Sequence, residues 1–301
     1  MKNRMLAAVT MTVATLLAKT PPARAAKLVA DYRFHGNLES DVQPAPDLSV
    51  VGPAPGCFAV GKVGDQLRTL LAFPMGNGVD FQPAAPTIAS DRYTVAVELH
   101  FDVTGGYRRI LSFDGGVADC GLYLLNGLLD FYCVTGGALA APASGFTLVT
   151  MTRAGDGTVT AYIDGQQAFT FSDTSAAAVI GANDSLRFFR DNECPGACTE
   201  DSSGQAARIR IYDDALTSEE VAALSTPLDT TTTTLEVTCG DPNSSGTITA
   251  ADALAALRAA VGTGCCLNLC DVNDSGDVTA SDALVILKKA VGQPATLACP
   301  L

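Results

Sequence analysis

The sequence predicts a mainly β protein: an antiparallel β-sandwich followed by a small α-helical C-terminal domain of two loop–helix repeats. Three observations predict it. From residue 27 to 224, short runs of alternating apolar and polar residues are separated by Gly, Pro, Asn and Asp, the pattern of many half-buried strands. Residues 225–238 hold Pro227 and a threonine run over 230–234 with no apolar periodicity, so they read as an extended linker. Beyond Cys239 the chain repeats itself at an offset of 30 residues. The expected boundaries are 26–226 for the sandwich, 227–238 for the linker and 239–301 for the C-terminal domain.

The N-terminus reads as an address. Lys2 and Arg4 precede an apolar run over 5–18, Pro21 and Pro22 break it, and Ala23-Arg24-Ala25 is a small-x-small cleavage pattern. Residues 1–25 are therefore expected to be a signal peptide. Losing Lys2, Arg4, Lys19 and Arg24 takes the net charge from −13 to −17. So acidic a chain excludes a nucleic-acid partner, because phosphate binding needs basic surface. After signal cleavage no segment offers the about 18 apolar residues of a membrane span. Secretion would place the ten cysteines in an oxidising setting where disulfides form.

Within the first region, residues 93–102 alternate with period two. Val95, Val97, Leu99 and Phe101 share one face; Glu98, His100 and Asp102 share the other. Asn126-Gly127 makes a tight turn joining strands over 121–125 and 128–133. Counting outward from that turn sets Cys120 opposite Cys133 at a non-hydrogen-bonded pair, where side chains approach most closely. A Cys120–Cys133 disulfide is predicted. Residues 148–153, 158–163 and 167–172 continue as strands, with Asp164-Gly165 as a second tight turn. Cys194 and Cys198 bracket Pro195-Gly196-Ala197 and are expected to close a small loop, which leaves Cys57 without a local partner. The last strand, 207–212, runs into Thr217, which with Glu220 three residues on forms a capping box.

Those residues carry a resemblance. Arg109-Ile110-Leu111-Ser112-Phe113-Asp114, Gly121-Leu122-Tyr123-Leu124, Ala161-Tyr162-Ile163-Asp164-Gly165 and the closing Ala207-Arg208-Ile209-Arg210-Ile211-Tyr212 look like a laminin G-like, concanavalin A-like domain. The resemblance covers about 27–224 and implies an antiparallel jelly-roll β-sandwich. That family includes glycan- and protein-binding modules and a minority of glycosidases and lyases.

The internal repeat is the most specific signal. Residues 241–262 and 271–292 are identical at 13 of 22 positions. Asp241, Asn243, Ser245, Thr249 and Asp252, and in the second copy Asp271, Asn273, Ser275, Thr279 and Asp282, place oxygen side chains at loop positions 1, 3, 5, 9 and 12. Gly246 and Gly276 stand at position 6. This is the layout of an EF-hand-type calcium loop, in which hard oxygens ligate, glycine permits the sharp turn, and position 7 (Thr247, Asp277) offers a backbone carbonyl. The cofactor expected is Ca2+. Ile248 and Val278 at position 8 are expected to plug the core. Leu254, Leu257 and Val261, repeated as Leu284, Leu287 and Val291, form one apolar stripe per helix and are expected to pack the two helices face to face.

Loop then helix in duplicate behind a Thr-rich linker resembles a dockerin domain over residues 239–294. The resemblance implies calcium-dependent folding and docking onto a cohesin-like or other surface scaffold protein. Position 5 is Ser where that family usually has Asp, so affinity is expected to fall to the order of 10⁻⁵–10⁻³ M. The second loop, with Asp274 and Asp277, is expected to be the tighter. Positions 10 and 11, Ala250-Ala251 and Ala280-Ser281, lack the Ser-Thr pair familiar there. Cys239 and Cys299 could tie the ends of this domain, and Cys270 could pair with Cys265 or Cys266. A zinc site is the alternative for these cysteines, and the scarcity of His together with export favours disulfides.

On the sandwich, Glu98, His100 and Asp102 form the best carboxylate set for a glycosidase, which needs paired carboxylates across a cleft. A solvated outer strand face explains them more simply, and no catalytic residue is assigned. Tyr107, Tyr123 and Tyr132 are the candidates for stacking on sugar rings in a chain without Trp. Asp114 and the run Asp191-Asn192-Glu193 are candidates for a calcium on the sandwich rim. The expected function is a secreted, non-catalytic modular binding protein. Its sandwich would recognise a polysaccharide or glycoprotein, and its calcium-binding module would attach it to a scaffold. A glycoside hydrolase carried by a dockerin, and a purely structural surface protein, are the alternatives.

Overall fold

The computed structural model describes residues 25–54, 56–142, 144–191, 200–225, 238–243, 245–262, 264–266 and 268–300. The expected signal peptide (save Ala25), the Cys194–Cys198 bridge, Asn192 with Glu193, and the linker (save Thr238) lie outside these residues. Among the described residues the strands are, in chain order, β1 (Leu28–Tyr32), β2 (Ser49–Val51), β3 (Cys57–Val63), β4 (Gln66–Phe73), β5 (Gly78–Phe81), β6 (Tyr93–Phe101), β7 (Tyr107–Ser112) and β8 (Gly121–Leu125). They continue as β9 (Leu128–Tyr132), β10 (Thr135–Ala140), β11 (Thr147–Arg153), β12 (Thr158–Ile163), β13 (Gln166–Ser172), β14 (Leu186–Phe188) and β15 (Gly204–Tyr212). The helices are α1 (Ser218–Leu224), α2 (Ala250–Ala260) and α3 (Ala280–Ala290).

The strands form two antiparallel sheets. One runs β13-β12-β11-β6-β15-β4-β3, with β1 also paired to β15; the other runs β10-β9-β8-β7-β14-β5-β2. Alternation along each strand sets the layers. Val95, Val97, Leu99 and Phe101 of β6 turn inward and share one core with Leu111, Leu122, Leu124 and Phe131 of the facing sheet. Positive φ at Asn126 (51°) and Gly127 (81°), and at Asp164 (47°) and Gly165 (77°), closes the β8–β9 and β12–β13 hairpins as the twist of the strands demands. After β15, Thr217 accepts from the Glu220 amide while Glu220 takes the Thr217 N–H, capping α1. Val221 then packs α1 against Tyr162, Tyr212 and Leu216.

The C-terminal module is two loop–helix units. Each helix opens with a capping box, Thr249 with Asp252 in α2 and Thr279 with Asp282 in α3. Its core is Ala253, Ala256, Ala283 and Ile286 with Cys266, Cys270 and Val272, and Ile248 and Val278 pack against it. Here the sequence expectation is corrected. Leu254, Leu257, Val261, Leu284, Leu287 and Val291 do not pack the helices together; all six are exposed, Val261 and Val291 at 63% each. The cause is the carboxylate at the third helical position. Asp252 and Asp282 are fully buried toward their loops, and this rotates the helices so that the neighbours one and four residues on, Ala253 and Ala256 in α2 and Ala283 and Ile286 in α3, meet at the seam.

Four disulfides are present among the described residues: Cys57–Cys265, Cys120–Cys133, Cys239–Cys299 and Cys266–Cys270. All five cysteines of the module are oxidised, so none is a thiolate for zinc. Cys57 finds its partner in the other half of the chain. Beside this bridge, the Asn268 side chain pairs with the Val60 backbone, accepting its N–H at 2.8 Å and donating to its carbonyl at 2.6 Å, and Phe58 bridges to Cys266 in parallel. Cys265, Cys266 and Asn268 thus cover the free edge of β3. No helix among the described residues is long and apolar enough to cross a membrane.

Candidate functional site

Two places gather chemistry. The first is the outer face of β7, β8 and β9. The hairpin register sets Tyr123 beside Asp130 and Gly121 beside Tyr132, while Leu122, Leu124, Leu129 and Phe131 take the inner face. The three tyrosines picked out from sequence come together there: Tyr107 lies edge-on to Tyr132 at 5.5 Å and to Tyr123 at 5.6 Å, and Tyr123 lies 6.0 Å from Tyr132 between ring centres. Tyr123 is buried, Tyr107 is half-buried and Tyr132 is 37% exposed. The Cys120–Cys133 bridge pins both ends of this hairpin, fixing Tyr132 and Asp119, which adjoin it.

Around the rings stands an acidic set of which the sequence singled out only Asp191. Asp119, Asp191 and Glu200 each bring a carboxylate oxygen within 4.8 Å of the others. Arg109, fully buried, pairs with Asp191 at 2.5 Å and Asp119 at 3.2 Å, and its guanidinium lies 4.4 Å above the Tyr123 ring. The Tyr123 hydroxyl donates to Asp191 at 3.0 Å and to Asp119 at 3.1 Å. Burial drives that hydroxyl far above the ordinary phenol range, with Arg109 opposing. Burial likewise raises the Asp130 carboxyl, and burial with the neighbouring Asp191 raises Glu200. Arg109 thus sits in a patch with four carboxyl groups, Asp119, Asp130, Asp191 and Glu200, which makes it rich in hydrogen-bond acceptors. Of the rim candidates for a metal, Asp191 belongs to this set and Asp114 does not. Asp130 was within reach of sequence reasoning, since the hairpin count that pairs Cys120 with Cys133 also pairs Asp130 with Tyr123. Asp191 stood out only as part of an acidic run, and Glu200 carried no local signal.

The trio of Glu98 and His100 on β6 with Asp102 just past it is engaged elsewhere. Glu98 pairs with Arg68 at 2.7 Å, His100 Nδ1 lies 3.0 Å from the Gly145 carbonyl, and His100 Nε2 is 4.0 Å from Asp102.

The second place is the loop pair. In loop 1, Asp241 Oδ1 accepts the Ser245 amide at 3.1 Å and Oδ2 the Gly246 amide at 2.7 Å. Asn243 also accepts the Ser245 amide at 3.0 Å, and the Ser245 hydroxyl donates to the Thr247 carbonyl at 2.9 Å. Loop 2 repeats this with Asp271, Ser275, Gly276 and Asp277, whereas Asn273 instead takes part in a backbone bridge to Ala298. Burial pushes the Asp271 carboxyl up, but the amides of Ser275 and Gly276 outweigh it and hold it below the usual range. Thr249 and Thr279 donate their hydroxyls to Asp252 and Asp282 Oδ2. The donor set is all oxygen, as calcium requires. Asp252 Oδ1 is buried with no hydrogen-bond partner, an orphan that fits a cation, because a buried unpaired carboxylate oxygen is costly.

Residues 75–222 match the family described as the Concanavalin A-like lectin/glucanases superfamily. Over these residues the sandwich is similar to a concanavalin A-like jelly-roll domain. Among solved structures, the chain is similar to Domain 4 of AbnA, a GH43 extracellular arabinanase from Geobacillus stearothermophilus, in complex with arabinotriose. The TM-score is 0.54 at 20% identity, covering 67% of this chain and 100% of that one. It is also similar to botulinum neurotoxin type C, whose cell entry depends on interaction with two ganglioside molecules (TM-score 0.48, 11% identity, 66% of this chain and 50% of that one). A third is a Trypanosoma rangeli sialidase mutant displaying trans-sialidase activity (TM-score 0.39, 20% identity, 58% and 32%). No curated protein matches the chain.

Proposed function

We propose that this is a secreted, non-catalytic binding protein whose jelly roll recognises carbohydrate and whose C-terminal module takes up calcium and attaches to a scaffold or surface partner. The observation that carries the first half is the Tyr107–Tyr123–Tyr132 cluster within its acidic rim. Sugars present apolar faces and many hydroxyl donors; an exposed ring supplies the face, and carboxylates accept the hydroxyls. The edge-on ring contacts and the Cys120–Cys133 bridge hold this surface rigid before ligand arrives, which limits the ordering cost of binding. Short arabino-oligosaccharides, like the arabinotriose of the similar arabinanase domain, are the first probe, followed by a panel of plant and microbial polysaccharides. By calorimetry, Tyr132→Ala is expected to weaken binding about ten-fold, the worth of one good ring contact. Unchanged affinity in Tyr132→Ala would remove the site from this face.

For the second half, calcium would be held by Asp241, Asn243, Ser245, Asp252 and the Thr247 carbonyl, and by their counterparts in the second loop. It would supply the charge that draws each loop onto its helix. The exposed stripes on α2 and α3 run beside Arg258, Lys288 and Lys289, which suits a partner with an apolar surface edged by carboxylates, cohesin-like or other.

A catalytic reading draws on Glu200, whose raised carboxyl beside Asp191 and Asp119 is what a glycosidase acid requires. Release of reducing ends from a bound polysaccharide, abolished in Glu200→Gln, would replace the binding reading with this one.

A further inference from the structure

The two loops share most of their polar contacts, and one difference between them lies at a backbone N–H. In loop 2 the Val272 N–H donates to Asp282 Oδ1 at 3.1 Å. The matching residue of loop 1 is Pro242, which has no N–H to give, and Asp252 Oδ1 is the atom left buried without a partner. Their surroundings differ too. The Val272 carbonyl accepts from Ala298 at 2.8 Å within the module. The Pro242 carbonyl and Asn243 Cα instead press on Gly36, just past β1 of the sandwich, where φ is +74° and any side chain would collide.

We propose that loop 1 is a divalent-cation site whose occupancy sets the junction between module and sandwich, while loop 2 keeps its shape without the ion. The inference rests on the calcium reading above and goes further, since that reading treats the loops alike. Carboxylate count concerns affinity and favours loop 2; the missing N–H concerns conformation and singles out loop 1. Without an ion, Asp252 must satisfy Oδ1 by admitting water, which opens the loop lying against Gly36. With an ion, that oxygen has its partner and the contact closes.

The test is hydrogen–deuterium exchange of the full oxidised chain with Ca2+ or with a chelator. Calcium is expected to slow exchange over 241–252 and 34–37 about ten-fold, and over 271–282 by less than about three-fold, the scale set by relieving one buried orphan oxygen. Pro242→Ala restores the N–H and is expected to protect loop 1 in chelator to the level of loop 2. Asp252→Asn keeps the cap and removes the buried charge, so it is expected to abolish the calcium effect on 34–37. Equal protection of both loops, protection of loop 2 alone, or an unchanged Pro242→Ala would overturn the inequality and leave calcium binding standing. No exchange difference in either loop and no heat on calcium titration would overturn the calcium reading itself.

Discussion

Arg208 grips Asp31 through two hydrogen bonds of 2.7 Å each, Nε to Oδ1 and a terminal nitrogen to Oδ2, and Arg33 adds a third at 3.1 Å. Burial pushes the Asp31 carboxyl up, but the two arginines outweigh it and hold it below its ordinary 3.8. A carboxyl held low in the fold adds stability above the unfolded value, and that stability is lost as pH falls through the folded value. Asp31→Asn, which strands Arg208, is expected to cost about 3 kcal/mol at pH 7. The gap from wild type should shrink as pH falls below 3.8, which melts followed by circular dichroism at several pH values would check. Tyr123, Asp130 and Cys133 were legible residue by residue, because one turn fixes the register of a hairpin. Asp191 was legible only as one acid in a run and Glu200 not at all, because both reach β7 through a fold-level return of the chain. The Pro242–Val272 difference was visible in the aligned repeats, but its weight depends on where the carboxylate oxygens point.

At the scale of elements, the helices of the module show one signal overriding another. Apolar spacing alone puts Leu254, Leu257 and Val261 inward, since leucine burial is worth about 1.5–3 kcal/mol per side chain. A carboxylate that must face the loop and cap the helix decides otherwise, and alanine becomes the packing residue. Leu257→Ser with Leu287→Ser is therefore expected to leave thermal stability within about 0.5 kcal/mol. Ala256→Leu, at a fully buried position, is expected to cost about 1–3 kcal/mol by overpacking the seam. Differential scanning calorimetry of the two variants separates these outcomes. The Leu pair is also expected to reduce capture of the proposed scaffold partner. In the sandwich no such conflict arises, so inner-face residues such as those of β6 and the β8–β9 hairpin follow the simple alternation.

Across the whole molecule, the linker is bypassed by a shorter route. Five cysteines on each side of it are an odd number twice, so full pairing demands at least one bridge between the halves; the count was legible and the partner was not. Cys57–Cys265 supplies it, and Cys266 and Asn268 lie along β3 where an open edge would invite pairing with another chain. Cys57→Ser with Cys265→Ser is expected to cost about 2–4 kcal/mol. It should also split the calorimetric melt into two transitions, the module first. A single transition at the wild-type temperature would show that the Asn268–Val60 pair and the Gly36 contact suffice without the bond.

The same bond has a consequence in time. Its two cysteines are 208 residues apart, so at about 5–20 residues per second a growing chain keeps the Cys57 thiol waiting for roughly 10–40 s. During that interval Cys120 and Cys133, only 13 residues apart, emerge together and can close first. The hairpin that carries the tyrosines would then be sealed before the edge of the first sheet is covered, so the binding face is set in the newborn chain while the long bridge still awaits the C-terminal module.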